Sequence, residues 1–74
     1  MSQQRDRDFE HALDAVYPAL SRAARVLCWS DADVDDVVQE TLLAAFRGRA
    51  SFNREAALLT WCYTILTRVA SRGK

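Results

Sequence analysis

Residues 34–46 read VDDVVQETLLAAF and have the apolar spacing of an amphipathic helix. Val38, Leu42, Ala45 and Phe46 fall on one face of such a helix, because steps of three and four residues return to the same side. We predict that this face is buried. Leu43 falls on the opposite, outward face, among charged residues. A helix of this kind needs neighbours to cover its apolar face, so the fold depends on the flanking segments.

The segment before this helix has the pattern of one long helix. A single apolar stripe keeps its helical phase over residues 8–28 and continues across Pro18, which lies on the outer side. Proline inside a helix removes a backbone hydrogen bond, so we predict one kinked helix rather than two unrelated ones. The stripe consists of Phe9, Leu13, Val16, Leu20, Ala23, Ala24 and Leu27.

Turn and capping residues bound the central helix. The candidate N-caps are Ser30, Asp31 and Asp33. Each can accept a backbone N–H bond, and the acids suit the positive end of a helix dipole. We predict a helix that begins near Ala32 or Val34 and ends at Arg47, where Gly48 stops it.

A third helix is predicted from a wide apolar arc that begins near Glu55 or Ala56 and continues to about Ser71. Residues 50–53 can add a short extra turn before it. The chain has two glycines and one proline, and no strand-like alternation, which disfavours β-folds. We therefore predict an all-α fold: a compact bundle of three to four helices in a single domain of residues 1–74, with a helical core over residues 8–72.

Charge is distributed unevenly along the chain. Residues 1–40 carry nine acids against four basic residues, a net charge of −5, and residues 41–74 carry one acid against six, a net charge of +5. The basic half can meet a phosphate backbone while the acidic half meets another partner, or both can simply be solvated. No apolar run approaches the roughly 18 residues of a membrane span, so we expect a cytoplasmic protein without membrane contact.

Residues for catalysis or metal binding are few. Cys28 and Cys62 stand in apolar helical contexts, which favours two buried structural thiols over a disulfide. The single histidine, His11, falls on the outer side of the first helix. The acids before the central helix lack the glycine and terminal glutamate of a calcium-binding loop. We expect no enzyme activity, no cofactor and no metal site.

The outward face of the central helix is formed by Asp36, Gln39, Glu40, Leu43 and Arg47. This face is either an ordinary solvated surface with one exposed leucine, or a docking surface on which Leu43 supplies apolar area and the acids select a basic partner. Periodicity alone leaves both interpretations open.

A family resemblance bears on that choice. The segment DADVDDVVQETLLAAFR looks like the region 2 signature of bacterial sigma factors, most like the extracytoplasmic-function (group IV) class. The preceding LSRAARVLC and the later TWCYTILTR agree with that family in spacing. The resemblance implies that the D-x-x-Q-E face docks on the clamp helices of the RNA polymerase β′ subunit. The matching positions are Asp36, Gln39 and Glu40, to which the helical wheel adds Leu43 and Arg47.

The same resemblance implies that the last helix and the loop before it melt the promoter minus-ten element and hold a flipped base of the non-template strand. Arginines can neutralise phosphates, hydroxyls can read base edges, and Trp61 either stacks on bases or packs in the core. The residues expected to bind DNA are Arg49, Asn53, Arg54, Thr60, Trp61, Thr64, Thr67, Arg68, Ser71 and Arg72.

The chain departs from the family at two places. Thr64, Thr67 and Arg68 stand where the family commonly has Arg, Arg and Asn, and the usual Gly-x-Ser-Phe of the loop is missing. An alternative is therefore a sigma-like module that binds an anti-sigma protein or another regulator without reading a promoter. An anti-sigma factor is an expected partner in either case. The helix-turn-helix domain of such proteins is absent, so we expect a fragment of a longer protein.

Overall fold

Three helices and one short 3₁₀ turn make up a computed structural model of the chain, which describes residues 2–52 and 57–72. Helix α1 spans Ser2–Leu27, α2 spans Asp31–Arg47 and α3 spans Leu58–Arg72, with the 3₁₀ turn at Arg49–Ser51 between α2 and α3. Each helix packs against the other two. The described residues contain no strand, and the predicted all-α bundle is confirmed.

Helix α1 runs through Pro18, so the prediction of one helix rather than two is confirmed. Pro18 is exposed, and of the predicted stripe Leu13, Leu20 and Ala24 are buried. The helix begins six residues before the predicted start. Its polar first turns lack an apolar pattern, but Gln4 donates a side-chain hydrogen bond of 3.1 Å to the Asp8 carboxylate one turn later.

Helix α2 uses Ser30 as its N-cap, one of the three predicted candidates. The Ser30 hydroxyl accepts a hydrogen bond of 3.1 Å from the backbone N–H of Asp33. At the other end, the N–H of Gly48 donates to the Ala44 carbonyl at 2.9 Å. A Cβ at Gly48 would lie 3.3 Å from that oxygen and 3.8 Å from the Trp61 ring, so the position is tightly packed.

The core lies along the contact of all three helices. It contains the predicted apolar residues Val38 and Ala45 and, unexpectedly, Thr41, which is fully buried. The Thr41 hydroxyl donates to the Val37 carbonyl at 2.7 Å, so its polar group is satisfied within the helix. The other buried members of the core are Leu13, Leu20, Ala24, Val34, Cys62 and Leu66.

An aromatic cluster closes one end of the bundle. The Phe9 ring on α1 lies 6.4 Å from Phe46, 6.0 Å from Phe52 and 6.3 Å from Trp61, measured between centroids. Phe52 and Trp61 lie 5.0 Å apart. Tilted and edge-to-face pairs at these distances are favourable. The cluster therefore fixes the start of α3 against α1 and the end of α2.

The connection between α2 and α3 is described only in part. The predicted extra turn at residues 50–53 corresponds to the 3₁₀ turn at Arg49–Ser51, with Asn53 outside the described residues. The predicted starts of the third helix, Glu55 and Ala56, also lie outside them. Within the described part, the N–H of Trp61 donates to the Ala57 carbonyl at 3.1 Å, and α3 extends one residue beyond Ser71. None of the described helices is long and apolar enough to cross a membrane.

Candidate functional site

The outward face of α2 carries the five residues predicted for docking. Asp36, Gln39, Glu40, Leu43 and Arg47 are all exposed, and 52% of the Leu43 surface is accessible. The structure brings them together as a ridge along α2, opposite the buried residues of the same helix. We call these five residues the α2 ridge.

A groove between α2 and α1 lies on one side of the α2 ridge. Its volume is about 280 Å³, and Leu13, Leu42 and Phe46 line it together with Leu43. Acidic side chains from α1, Glu10 and Asp14, and the amide of Gln39 complete the lining. Leu43 therefore continues an apolar surface and is not an isolated exposed leucine.

A second groove lies on the other side, between α2, the C-terminal end of α1 and the last turns of α3. Its volume is about 330 Å³. Asp36 and Glu40 of the α2 ridge line it, together with apolar residues of all three helices. The α2 ridge, with two acids, an amide, a leucine and an arginine, thus has a partly apolar groove on each side.

Arg72 joins the two surfaces predicted from the sequence. It is among the residues expected to bind DNA, and the structure pairs its guanidinium with the carboxylate of Glu40 on the α2 ridge. The two side chains are 63% and 54% exposed. Exposed pairs of this kind contribute about 0–1 kcal/mol, so water and partner groups compete easily for either member.

The polar face of α3 carries the other residues assigned to DNA. Two of its hydroxyls bond to the helix itself: Thr64 donates to the Thr60 carbonyl at 3.2 Å, and Thr67 to the Thr64 carbonyl at 3.0 Å. Their oxygens remain free to accept hydrogen bonds from solvent or a ligand. The exposed residues of this face are Thr60, Thr64, Thr67, Arg68 and Ser71.

Arg49, which is also among the residues expected to bind DNA, is held against the surface of the bundle. Its Nε lies 2.8 Å from a carboxylate oxygen of Asp6, and Nη1 donates to the Phe46 carbonyl at 2.7 Å. Its guanidinium carbon lies 4.1 Å from the centroid of the Phe46 ring. These contacts occupy one edge of the guanidinium and much of one face, which leaves Arg49 less available to a phosphate than Arg68.

Trp61 lies half-buried in the aromatic cluster, where its ring contacts Phe9 and Phe52. The sequence left two roles open for Trp61, stacking on bases and packing in the core. The position of the ring in this cluster favours packing. Asn53 and Arg54, which the resemblance assigned to the base-holding loop, lie outside the described residues.

The described residues offer little for catalysis. No group of three or more His, Cys, Asp or Glu residues among them could hold a metal ion. Cys62 is fully buried, and burial raises the pKa of its thiol above the ordinary value, which disfavours the reactive thiolate. Cys28 is half-buried, and both thiols are free.

One exposed residue had no role in the sequence interpretation. Trp29, in the turn between α1 and α2, is 94% exposed and lines the groove beside α3. Helical periodicity gives no information on a turn residue, and so it did not single out this tryptophan.

Comparisons with known proteins identify the family of the chain. The family described as Sigma-70 region 2 matches residues 12–73. The chain is 38% identical over 47 residues to proteins named ECF RNA polymerase sigma factor SigM from two strains of Mycobacterium tuberculosis, Erdman and H37Rv. The aligned segment covers 64% of this chain and 24% of each relative, so the chain spans about a quarter of their length. No solved structure matches the chain.

The family match covers most of the chain, including α2 with its ridge and all of α3. The chain therefore belongs to the Sigma-70 region 2 family, and the curated relatives that support this are of the ECF class. The class predicted from the residues is confirmed.

Proposed function

We propose that this chain is a sigma-factor domain that binds core RNA polymerase through the α2 ridge and recognises and melts the promoter minus-ten element through α3. The observation that carries the proposal is the α2 ridge, in which Asp36, Gln39 and Glu40 are exposed together beside Leu43. The names of the curated relatives, which are RNA polymerase sigma factors, support the same assignment.

The partner of the α2 ridge is the β′ subunit, at its clamp helices. The two carboxylates of the ridge favour Lys and Arg on the opposing surface, and the leucine with its adjoining grooves favours apolar side chains beside them. Arg47 adds one cation at the end of the α2 ridge. This cation determines how the charges of the partner align with those of the ridge.

The docking test uses the double variant Glu40→Lys/Leu43→Asp. It reverses the central charge and removes the apolar contact, and both residues are exposed, so the helical circular-dichroism spectrum is expected to persist. Affinity for core RNA polymerase is expected to fall by about 100-fold or more, as for loss of two central interface residues. Unchanged affinity would refute the docking assignment.

The matched control for this test is Asp8→Lys/Ala15→Asp. It makes the same change in net charge at exposed positions of α1 outside the α2 ridge. Polymerase affinity is expected to stay within about twofold of the wild type, since rim and remote charges contribute little.

The DNA face acts by binding and without bond chemistry. An unpaired, flipped base is stabilised when hydroxyls accept or donate hydrogen bonds at its edge and a nearby cation neutralises its phosphate. Helix α3 presents exposed threonine hydroxyls in one row, with Arg68 beside them. This arrangement supports recognition of single-stranded DNA in the non-template strand.

The DNA test compares a minus-ten-like single-stranded oligonucleotide with a scrambled one, by fluorescence anisotropy in the presence of core polymerase. Arg68→Ala is expected to weaken binding to both oligonucleotides and to lower the salt dependence by about one counterion. Arg22→Ala, an exposed arginine of α1, is the control. If the wild type does not prefer the minus-ten-like sequence, promoter reading by this chain is refuted and the sigma-like regulator-binding module is favoured.

A further inference from the structure

We propose that Trp29 and the groove beside it form a second docking element, and that its occupant is a basic helix of core RNA polymerase that carries an apolar side chain. This inference rests on the proposed function, because it extends the α2 ridge and uses the same partner. We call this element the Trp29 groove: Trp29 with the recess between α2, the end of α1 and the last turns of α3.

Trp29 is exposed to an unusual degree for its size. Trp29 as a residue is 94% accessible, and Val26, three residues earlier, is 85% accessible. A tryptophan buries roughly 150–250 Å² when it is covered, and tryptophan is among the residues most enriched at interface hot spots. The next residue, Ser30, caps α2 and so holds the backbone of the turn in place. Because the turn is already held, docking costs little backbone conformational entropy.

The floor of the Trp29 groove is apolar and is shared by the three helices. Leu27 contributes from the end of α1, Cys28 from the turn that follows, Val37 from α2 and Val69 from α3. The recess has a volume of about 330 Å³, and the exposed tryptophan is part of its lining. An apolar side chain of a partner can be held there between the indole ring and the bundle.

The charge of the rim selects the kind of partner. Among the described residues, Asp33, Asp36 and Glu40 line the groove together with one cation, Arg72, which is already paired with Glu40. The rim is therefore net negative, which disfavours nucleic acid and favours a basic protein surface.

The spacing of the rim favours a helix as the occupant. Asp33, Asp36, Val37 and Glu40 follow one another at helical steps along α2, so the groove runs beside that helix. A groove with an apolar lining that runs beside a helix can accept a partner helix by the usual helix-in-groove mode. Because Asp36 and Glu40 also belong to the α2 ridge, a partner that covers the ridge reaches the groove without a gap.

The test measures binding of the Trp29→Ala variant to core RNA polymerase. Affinity is expected to fall by about tenfold or more, as for loss of an interface hot-spot residue. The thermal midpoint of the free protein is expected to be unchanged, because the ring makes few contacts in the bundle. Tyr17→Ala removes another exposed aromatic ring, 37% accessible on α1, and is expected to bind like the wild type.

Hydroxyl-radical footprinting of the wild type supplies a readout at the residue itself. Oxidation of Trp29, read by mass spectrometry, is expected to drop several-fold when the polymerase complex forms. Oxidation of Tyr17 is expected to stay the same.

Three results would overturn the inference, and each is distinguishable. If Trp29→Ala binds polymerase with wild-type affinity while Glu40→Lys/Leu43→Asp does not bind, the Trp29 groove is not a docking element. The proposed function then still stands. Absence of polymerase binding by the wild type removes both. If the free protein forms a dimer and the Trp29→Ala substitution dissociates it, the occupant of the groove is a second copy of the chain.

Discussion

Arg49 and Asp6 are 43 residues apart in sequence and form an ion pair with 2.8 Å between Nε and the carboxylate. The pair joins the 3₁₀ turn after α2 to the first turns of α1, which have no apolar stripe of their own. Arg49 also bonds the Phe46 carbonyl and covers the Phe46 ring. A residue assigned to DNA by its charge thus stabilises the end of the bundle.

We predict that Arg49→Ala lowers the free energy of unfolding by about 1 kcal/mol, since the pair is partly exposed but carries further hydrogen bonds and a ring contact. Arg49→Lys is expected to recover only part of this, because lysine lacks the planar fork. Urea denaturation measures the effect, with Arg22→Ala as the exposed control. Wild-type stability combined with lost DNA affinity would instead place Arg49 on the DNA surface.

Arg72→Ala is predicted to raise the affinity for core polymerase up to a few-fold at low salt, because it releases Glu40 from its internal partner. The gain is expected to disappear at high salt. Arg68→Ala, which removes the same charge one turn earlier in α3, serves as the control. A loss of polymerase affinity in Arg72→Ala would show that Arg72 itself contacts the polymerase.

The N-cap of α2 is expected to stabilise both the fold and the α2 ridge. Ser30→Ala removes the acceptor for the Asp33 N–H and is predicted to cost about 1 kcal/mol of unfolding free energy. Ser30→Asp keeps an acceptor and is expected to retain most of the stability. Chemical denaturation of the three proteins distinguishes the cap from other effects, and equal stability of Ser30→Ala would argue against it.

The two thiols are predicted to react at different rates. Cys62 is fully buried with a raised thiol pKa, whereas Cys28 is half-buried near the surface of the Trp29 groove. A thiol reagent at mildly alkaline pH is expected to label Cys28 first and Cys62 only as the protein opens. In denaturant the rates should become similar. Equal rates in the native protein would contradict the burial of Cys62.

The sequence by itself determined the all-α class and the direction of most helix faces. Val38 and Ala45 are buried and Leu43 is exposed, as the periodicity predicts, because helical geometry fixes which side chains share a side. The end of α2 at Gly48 followed from local chemistry in the same way. So did the family, since its signature consists of three short segments, in α1, α2 and α3, whose spacing along the chain can be read from the sequence.

Only the tertiary structure decided which residues meet across helices. The pairs Arg49–Asp6 and Arg72–Glu40 depend on how the helices are rotated and offset, and periodicity within one helix carries no information on that. The same holds for Trp29. Only the packing of α3 against α1 and α2 forms the groove that this tryptophan lines. The direction of a side chain from its helix is set locally, whereas the side chains that it contacts on other helices depend on how the helices pack.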